Sequence, residues 1–135
     1  MKKTMSAGLM AALFLSLAAC QSTKPDSGAT AGKSAALRNM EQVAIAAHRC
    51  WFASKDPAFR GYSFANELNS FSGQPRFLLV PKGNFGGKPL LVVQAEGSAG
   101  RVTTFGPLMN GAQGARISND VSRWAAGNTS CASAA

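Results

Sequence analysis

The chain has few of the residues that carry most enzyme chemistry. Its 135 residues include one histidine, six carboxylates and three cysteines. No cysteines or histidines have the CxxC or HxxxH spacing of a metal site, and no serine lies in a nucleophile elbow. We therefore expect no metal and no organic cofactor, and we expect a protein that is not an enzyme.

Three weak arrangements keep an enzyme open as an alternative. His48 could act with a carboxylate in a hydrolase. Positive charge at His48 and Arg49 could activate the thiol of Cys50, although residues two apart on a helix do not face each other. Glu67 and Glu96 could form an acid/base pair across a sheet, but ordinary solvated strand residues are the favoured interpretation.

The N-terminal residues have the order of a bacterial export signal. Lys2 and Lys3 form a positive region, and residues 7–19 form an apolar core too short for a permanent membrane span. The LAAC motif at residues 17–20 resembles the lipobox of bacterial lipoproteins, and the resemblance covers only the first 21 residues. It implies that the thiol of Cys20 is diacylglycerated, that the signal is cut before it, and that the new amine is acylated.

This resemblance also predicts a cellular location and a domain organisation. Several acyl chains on one residue, at about 0.8 kcal/mol per buried methylene, make a firm membrane anchor. Gln21 replaces the aspartate that tends to keep bacterial lipoproteins in the inner membrane, which favours the outer membrane. Residues 1–19 would then be the signal peptide, residues 20–33 the lipidated cysteine and a flexible tether, and residues 34–135 a single periplasmic domain.

The balance of charge limits the partners that we expect. The full chain has a formal net charge of +8, and residues 20–135 carry 12 Lys and Arg against 6 Asp and Glu, a net charge of +6. In a bacterial envelope this charge favours anionic lipid, lipopolysaccharide phosphates or glycan carboxylates. Nucleic acid is not an expected partner there. The basic residues are scattered along the chain, so a solvated surface is the simpler interpretation.

Once Cys20 is lipidated, two cysteines remain in an oxidising compartment. A disulfide between Cys50 and Cys131 is therefore predicted. Closing so long a loop would stabilise the domain by roughly 4.5 kcal/mol in the chain-entropy model, a large share of the stability of a small domain.

Hydrophobic periodicity predicts an α+β fold. Apolar residues recur at spacings of three and four over residues 34–52, which indicates an amphipathic first helix. A last helix is predicted to begin between residues 111 and 119, with Asp120 in its first turn and Gly127 as its C-cap. The four strands predicted between these helices are Tyr62–Leu68, Arg76–Val80, Pro89–Glu96 and Arg101–Phe105. Phe64, Leu68 and Phe71 would also fit a short helix, and we favour the strand.

Short connections between successive strands imply an antiparallel meander. The expected architecture is a two-layer sandwich in the order helix, four-stranded antiparallel meander, helix, with both helices on one face of the sheet. The second and third strands, however, are apolar at consecutive positions rather than alternating. The second face of the sheet would then be covered by the chain's own loops or by curvature, which we favour, or by a dimer partner or an apolar ligand.

The connection between the second and third strands is the candidate binding loop. Phe85 lies among glycines and between Lys82 and Lys88, a composition suited to an anionic lipid or glycan. Phe85 could equally fold back onto the domain. The leading hypothesis is a membrane-anchored, non-enzymatic lipoprotein whose domain binds an envelope protein or an anionic envelope component. The second is an inhibitor or accessory subunit that acts on an enzyme through an exposed loop.

Overall fold

A computed structural model describes residues 32–131, and it confirms the α+β fold. The four strands pair in the order β1-β2-β3-β4, and each neighbouring pair is antiparallel, so the predicted meander is present. The helices and strands are α1 Ala35–Ala47, β1 Tyr62–Glu67, β2 Arg76–Pro81, β3 Leu91–Glu96, β4 Arg101–Phe105 and α2 Gly114–Ala125.

The first helix begins and ends close to the predicted positions, but its last part is wider than an α-helix. The Ser34 hydroxyl accepts a hydrogen bond from the amide of Leu37, which satisfies one of the free N–H groups at the start of α1. After Ala47 the helix continues as a π-helical segment, His48–Ala53. Both Cys50 and Trp51 are buried in this segment. The π-helical geometry was not predicted.

Both helices and one face of the sheet share a single hydrophobic core. Trp51 from the end of the first helix and Trp124 from α2 are each about 1 % exposed or less, and their ring centroids lie 5.1 Å apart. The sheet contributes alternate residues of its two central strands, as expected for side chains that project to one face. These buried sheet residues are Phe77, Leu79, Leu91, Val93 and Ala95.

The intervening residues of the central strands lie on the opposite face of the sheet. Leu78 and Val80 are only 8 % and 1 % exposed, although they are not part of the helix-facing core. Because this burial is produced by a single chain, the domain itself covers the β2 part of its second face, whereas Val92 on β3 is only partly buried. At the edge, Phe105 on β4 remains 47 % exposed.

Two predicted details in the second half of the chain are corrected. β3 begins at Leu91 rather than Pro89, because the proline has no N–H to donate to the ladder and Leu91 is the first residue paired with β2. Asp120 is not in the first turn of α2, because that helix begins six residues earlier, at Gly114. Gly127 lies just beyond the helix with φ +99°, as a helix-terminating glycine should.

A short 3-10 turn that was not predicted, Pro107–Asn110, precedes α2. The chain then approaches itself closely at the start of the helix. A Cβ atom added to Gly114 would lie 2.1 Å from the carbonyl oxygen of Met109. Glycine therefore allows the contact that fixes where α2 begins.

Candidate binding surface

The predicted disulfide is present and joins the π-helical end of the first helix to the segment that follows α2. Cys50 and Cys131 are bonded across a sequence separation of 81 residues, with their Cα atoms 5.3 Å apart. Neighbouring hydrogen bonds hold the same C-terminal segment: Arg49 donates to the carbonyl of Thr129, and the indole of Trp124 donates to the carbonyl of Ser130. A disulfide sulfur is not a thiol, so Cys50 is not a nucleophile in this state.

The other two candidate catalytic arrangements show no direct contact between their reacting groups in the described residues. His48 is exposed and packs edge-on against Phe64, with 5.6 Å between ring centroids. It makes no ion pair with a carboxylate in the part of the chain that the structure describes. Glu67 and Glu96 do not face each other, because β2 separates their strands. Glu67 instead pairs with Arg76 at 2.6 Å on the neighbouring strand.

A buried polar network that was not predicted is centred on Asp120. This carboxylate is only 3 % exposed. It accepts a hydrogen bond from the indole of Trp51 at 2.9 Å and one from the guanidinium of Arg123 at 2.8 Å, and the guanidinium of Arg116 lies 3.6 Å away. Because every one of its partners is a donor fixed on a helical segment, the network has a structural role: it joins the two helices.

Arg116 extends this network to the turn after the first helix, where it pairs with Asp56 at 2.5 Å. The hydrogen bond from Arg116 lowers the pKa of Asp56, against the opposing effect of partial burial, and the amide of Ala58 lowers it further. The same pairing raises the pKa of Arg116. Asp56 is therefore an ionised carboxylate whose negative charge is balanced by Arg116.

The candidate binding loop projects from the domain. Phe85 is 67 % exposed, and Lys82 and Lys88 are both exposed. The loop contains two successive turns: the amide of Asn84 donates to the carbonyl of Pro81, and the amide of Gly87 donates to the carbonyl of Asn84, each at 3.0 Å. Because Phe85 is exposed, the alternative in which it folds back onto the domain is not what the structure shows.

A second contact fixes the base of this loop. The amide of Gly83, which has φ +74°, donates to the side chain of Ser63 on β1 at 3.0 Å. The amide of Leu90 donates to the carbonyl of Leu79 at 2.8 Å, which closes the loop at its other end. The aromatic tip is thus held by hydrogen bonds on both sides, which reduces the conformational entropy that binding would cost.

A groove of about 440 Å³ lies beside the loop and includes Lys82 but neither Phe85 nor Lys88. Lys55 and Arg60 also line it, and neither was singled out from the sequence. The pattern that could have identified them is the alternation of basic and aromatic residues between positions 51 and 62. The complete lining is Trp51, Phe52, Lys55, Asp56, Phe59, Arg60, Tyr62 and Lys82.

The loop and the start of α1 lie at opposite ends of the sheet. At the end of the sheet where α1 begins, the side chain of Asn39 donates a hydrogen bond to the carbonyl of Gly100 in the β3–β4 turn at 2.9 Å. A Cβ atom on Gly100 would lie 2.7 Å from the backbone of Ala35, so α1 begins against this turn. The β1–β2 connection, with fully exposed Phe71, is at the same end. Phe85 is in the β2–β3 connection, at the other end.

Cys20 lies outside the residues that the structure describes. Within residues 32–131, no helix is long and apolar enough to cross a membrane. The same residues contain no group of three side chains suited to hold a metal ion.

Comparisons of the chain with protein-family models, with curated proteins and with solved structures find no match. The function must therefore be inferred from the surface itself.

Proposed function

We propose that the chain is a bacterial envelope lipoprotein, anchored in the outer membrane by lipid on Cys20, whose disulfide-bonded domain binds an envelope component and performs no catalysis. The anchor follows from the resemblance of residues 17–20 to a lipobox. The observation that carries the binding function is the Lys82–Lys88 loop. It presents Phe85, 67 % exposed, on a segment fixed by two turns and by the hydrogen bond to Ser63.

The position of the loop supports a partner on the side of the domain away from the anchor. From Cys20 to the first described residue the chain has 12 residues, which span at most about 40 Å. The domain is entered at the end of the sheet that carries Phe71, and Phe85 lies at the opposite end. A domain held by this anchor therefore presents Phe85 away from the membrane more readily than Phe71, which favours a partner on the far side from the anchor.

The composition of the loop indicates the chemistry of contact. A rigid aromatic side chain supplies apolar contact area at a low cost in conformational entropy, and the two flanking lysines add attraction to an anionic surface. Fixing the loop before binding removes part of the ordering cost that a mobile loop would incur. These features support recognition by contact, and they require no reacting group.

The test is site-specific photo-crosslinking in the intact envelope. A photoreactive phenylalanine analogue placed at position 85 should capture a defined partner, since that side chain is at the centre of the proposed contact. The matched control is the same analogue at position 71, which is equally an exposed phenylalanine but lies at the other end of the sheet. Equal patterns from the two positions, or no adduct from position 85, would contradict the proposal.

An inhibitor or accessory subunit is the second candidate, and the same loop favours it. A protruding aromatic held by hydrogen bonds on a disulfide-bonded scaffold suits insertion into an enzyme cleft. In this case the partner captured from position 85 would be an envelope enzyme, and replacing Phe85 with serine would change the activity of that enzyme. A partner of any other kind would exclude this candidate and support the first.

A further inference from the structure

We propose that the groove bordered by Lys55, Arg60 and Lys82 binds a phosphorylated sugar. The inference extends the proposed function to a ligand class and shares with it only the bacterial envelope as the place of action, because Phe85 does not line this groove. The groove has a volume of about 440 Å³, within the range of roughly 300–1,000 Å³ that is typical of small-molecule sites.

The first support is a concentration of unmatched positive charge. In the described part of the chain, none of Lys55, Arg60 and Lys82 makes an ion pair with a carboxylate. The one carboxylate that lines the groove, Asp56, is already held by Arg116. Three cations therefore share one concave surface, and their mutual repulsion is relieved when a ligand brings negative charge into it.

The second support is that the backbone brings these cations together. The amide of Lys82 donates to the carbonyl of Gly61 at 3.0 Å, which places Lys82 next to the residue that follows Arg60. Lys55 has φ +59°, a left-handed conformation uncommon for residues other than glycine, and its amide donates to the carbonyl of Phe52 at 2.9 Å. These fixed positions make the cluster part of the fold rather than a chance meeting of long side chains.

The third support is the aromatic surface between the cations. Trp51 and Phe59 stack beneath the groove with their ring centroids 4.4 Å apart, and because each is only 1 % exposed they support the groove without offering surface to a ligand. Phe52 and Tyr62 are only partly buried, so they supply the aromatic surface that a ligand can touch. Apolar walls of this kind suit the C–H face of a sugar ring, and the Tyr62 hydroxyl is available to a sugar hydroxyl.

Charge selects phosphate over carboxylate. A phosphomonoester carries about two negative charges near pH 7, whereas a carboxylate carries one. The guanidinium of Arg60 can donate two parallel hydrogen bonds to phosphate oxygens, and the lysines can act as point charges on either side of it. The ligand could be a soluble sugar phosphate or the phosphorylated sugar headgroup of a glycolipid, and both share this chemistry.

The experiment is calorimetric titration of the mature, lipid-bearing protein in phosphatidylcholine nanodiscs at constant ionic strength. One arm uses glucose 6-phosphate, with glucose and inorganic phosphate as reference ligands. The other uses phosphatidylcholine vesicles with and without a glycolipid that has a phosphorylated glucosamine headgroup. We expect glucose 6-phosphate or the glycolipid to bind at least tenfold more tightly than glucose and inorganic phosphate. Tighter binding in one arm identifies the source of the sugar phosphate.

The variants separate the groove from general positive charge. Arg60→Gln and the double variant Lys55→Gln/Lys82→Gln should each weaken binding at least tenfold. Arg101→Gln removes an exposed cation at the opposite end of the sheet and should weaken ligand binding less than twofold. Circular dichroism verifies that each variant folds, which is expected because the replaced side chains are exposed.

Three results would overturn the inference: no binding in either arm, binding of both glucose 6-phosphate and the glycolipid no tighter than that of inorganic phosphate, or an equal loss in Arg101→Gln. The second result would indicate an adventitious anion only. Crosslinking from position 85 and ligand binding are both measured in protein with an unaltered groove, so that the two proposals are separated. Adducts that persist without ligand binding would leave only the proposed function standing, and ligand binding without adducts would leave only the groove.

Discussion

Removal of the disulfide should cost the domain a large share of its stability. The bond joins residues 81 apart in sequence, and the chain-entropy model gives a loss of about 4.5 kcal/mol when a loop of that length is opened at 25 °C. The double variant Cys50→Ala/Cys131→Ala also releases the segment whose carbonyls receive hydrogen bonds from Arg49 and Trp124. A total free energy of unfolding of about 5–15 kcal/mol makes this a large fraction of the whole.

Urea unfolding followed by tryptophan fluorescence measures the effect, because both tryptophans lie in the core near the bond. The variant should unfold at a markedly lower urea concentration than the oxidised protein, and wild-type protein treated with dithiothreitol should behave like the variant. A thiol probe should not label Cys50 or Cys131 in the native, unreduced protein. A stability loss below about 1 kcal/mol, or rapid labelling of both residues, would refute this reasoning.

Further predictions concern the polar network and the start of α2. Asp120→Ala should destabilise the domain by about 2 kcal/mol in urea unfolding, because it leaves the buried Trp51 indole and the half-buried guanidinium of Arg123 without their acceptor, whereas Asp120→Asn should cost less. The lowered pKa of Asp56 means that its pairing with Arg116 stabilises the fold above about pH 4. That contribution should fade as the pH falls through the folded-state pKa, so that the stability difference of about 1 kcal/mol between wild type and Asp56→Asn closes in acid. Gly114→Ala should destabilise the domain by about 1–3 kcal/mol and lower its thermal midpoint, because the added Cβ meets a carbonyl oxygen. This should hold even though alanine is the better helix former, and an unchanged midpoint would contradict it.

The fold was largely accessible from the sequence because its signals are local. The strands are short and apolar, and glycine and proline mark each connection, so the meander and its order could be predicted. Ser34 and Gly127 mark helix ends by side-chain capping and by a left-handed backbone, which are properties of single residues. Two cysteines in an expected oxidising compartment left a single pairing, Cys50 with Cys131.

The features that were missed depend on contacts between distant residues. Asp120 has a side chain typical of the first turn of a helix. Its hydrogen bond in the core depends on Trp51, which is 69 residues away in sequence. Lys55 and Arg60 are scattered charges in the sequence, and they become a site only when the β2–β3 loop brings Lys82 beside them. Side-chain chemistry could be listed in advance, but which groups share a surface is decided by the tertiary fold.

Lipidation of Cys20 is the central claim about the biology of this chain, and mass spectrometry of the protein isolated from bacterial envelopes tests it most directly. The account predicts a polypeptide that begins at Cys20, carries a diacylglyceryl group and an N-linked acyl chain on that residue, and has Cys50 joined to Cys131. A polypeptide that retains residues 1–19, with an unmodified thiol at Cys20, would contradict it.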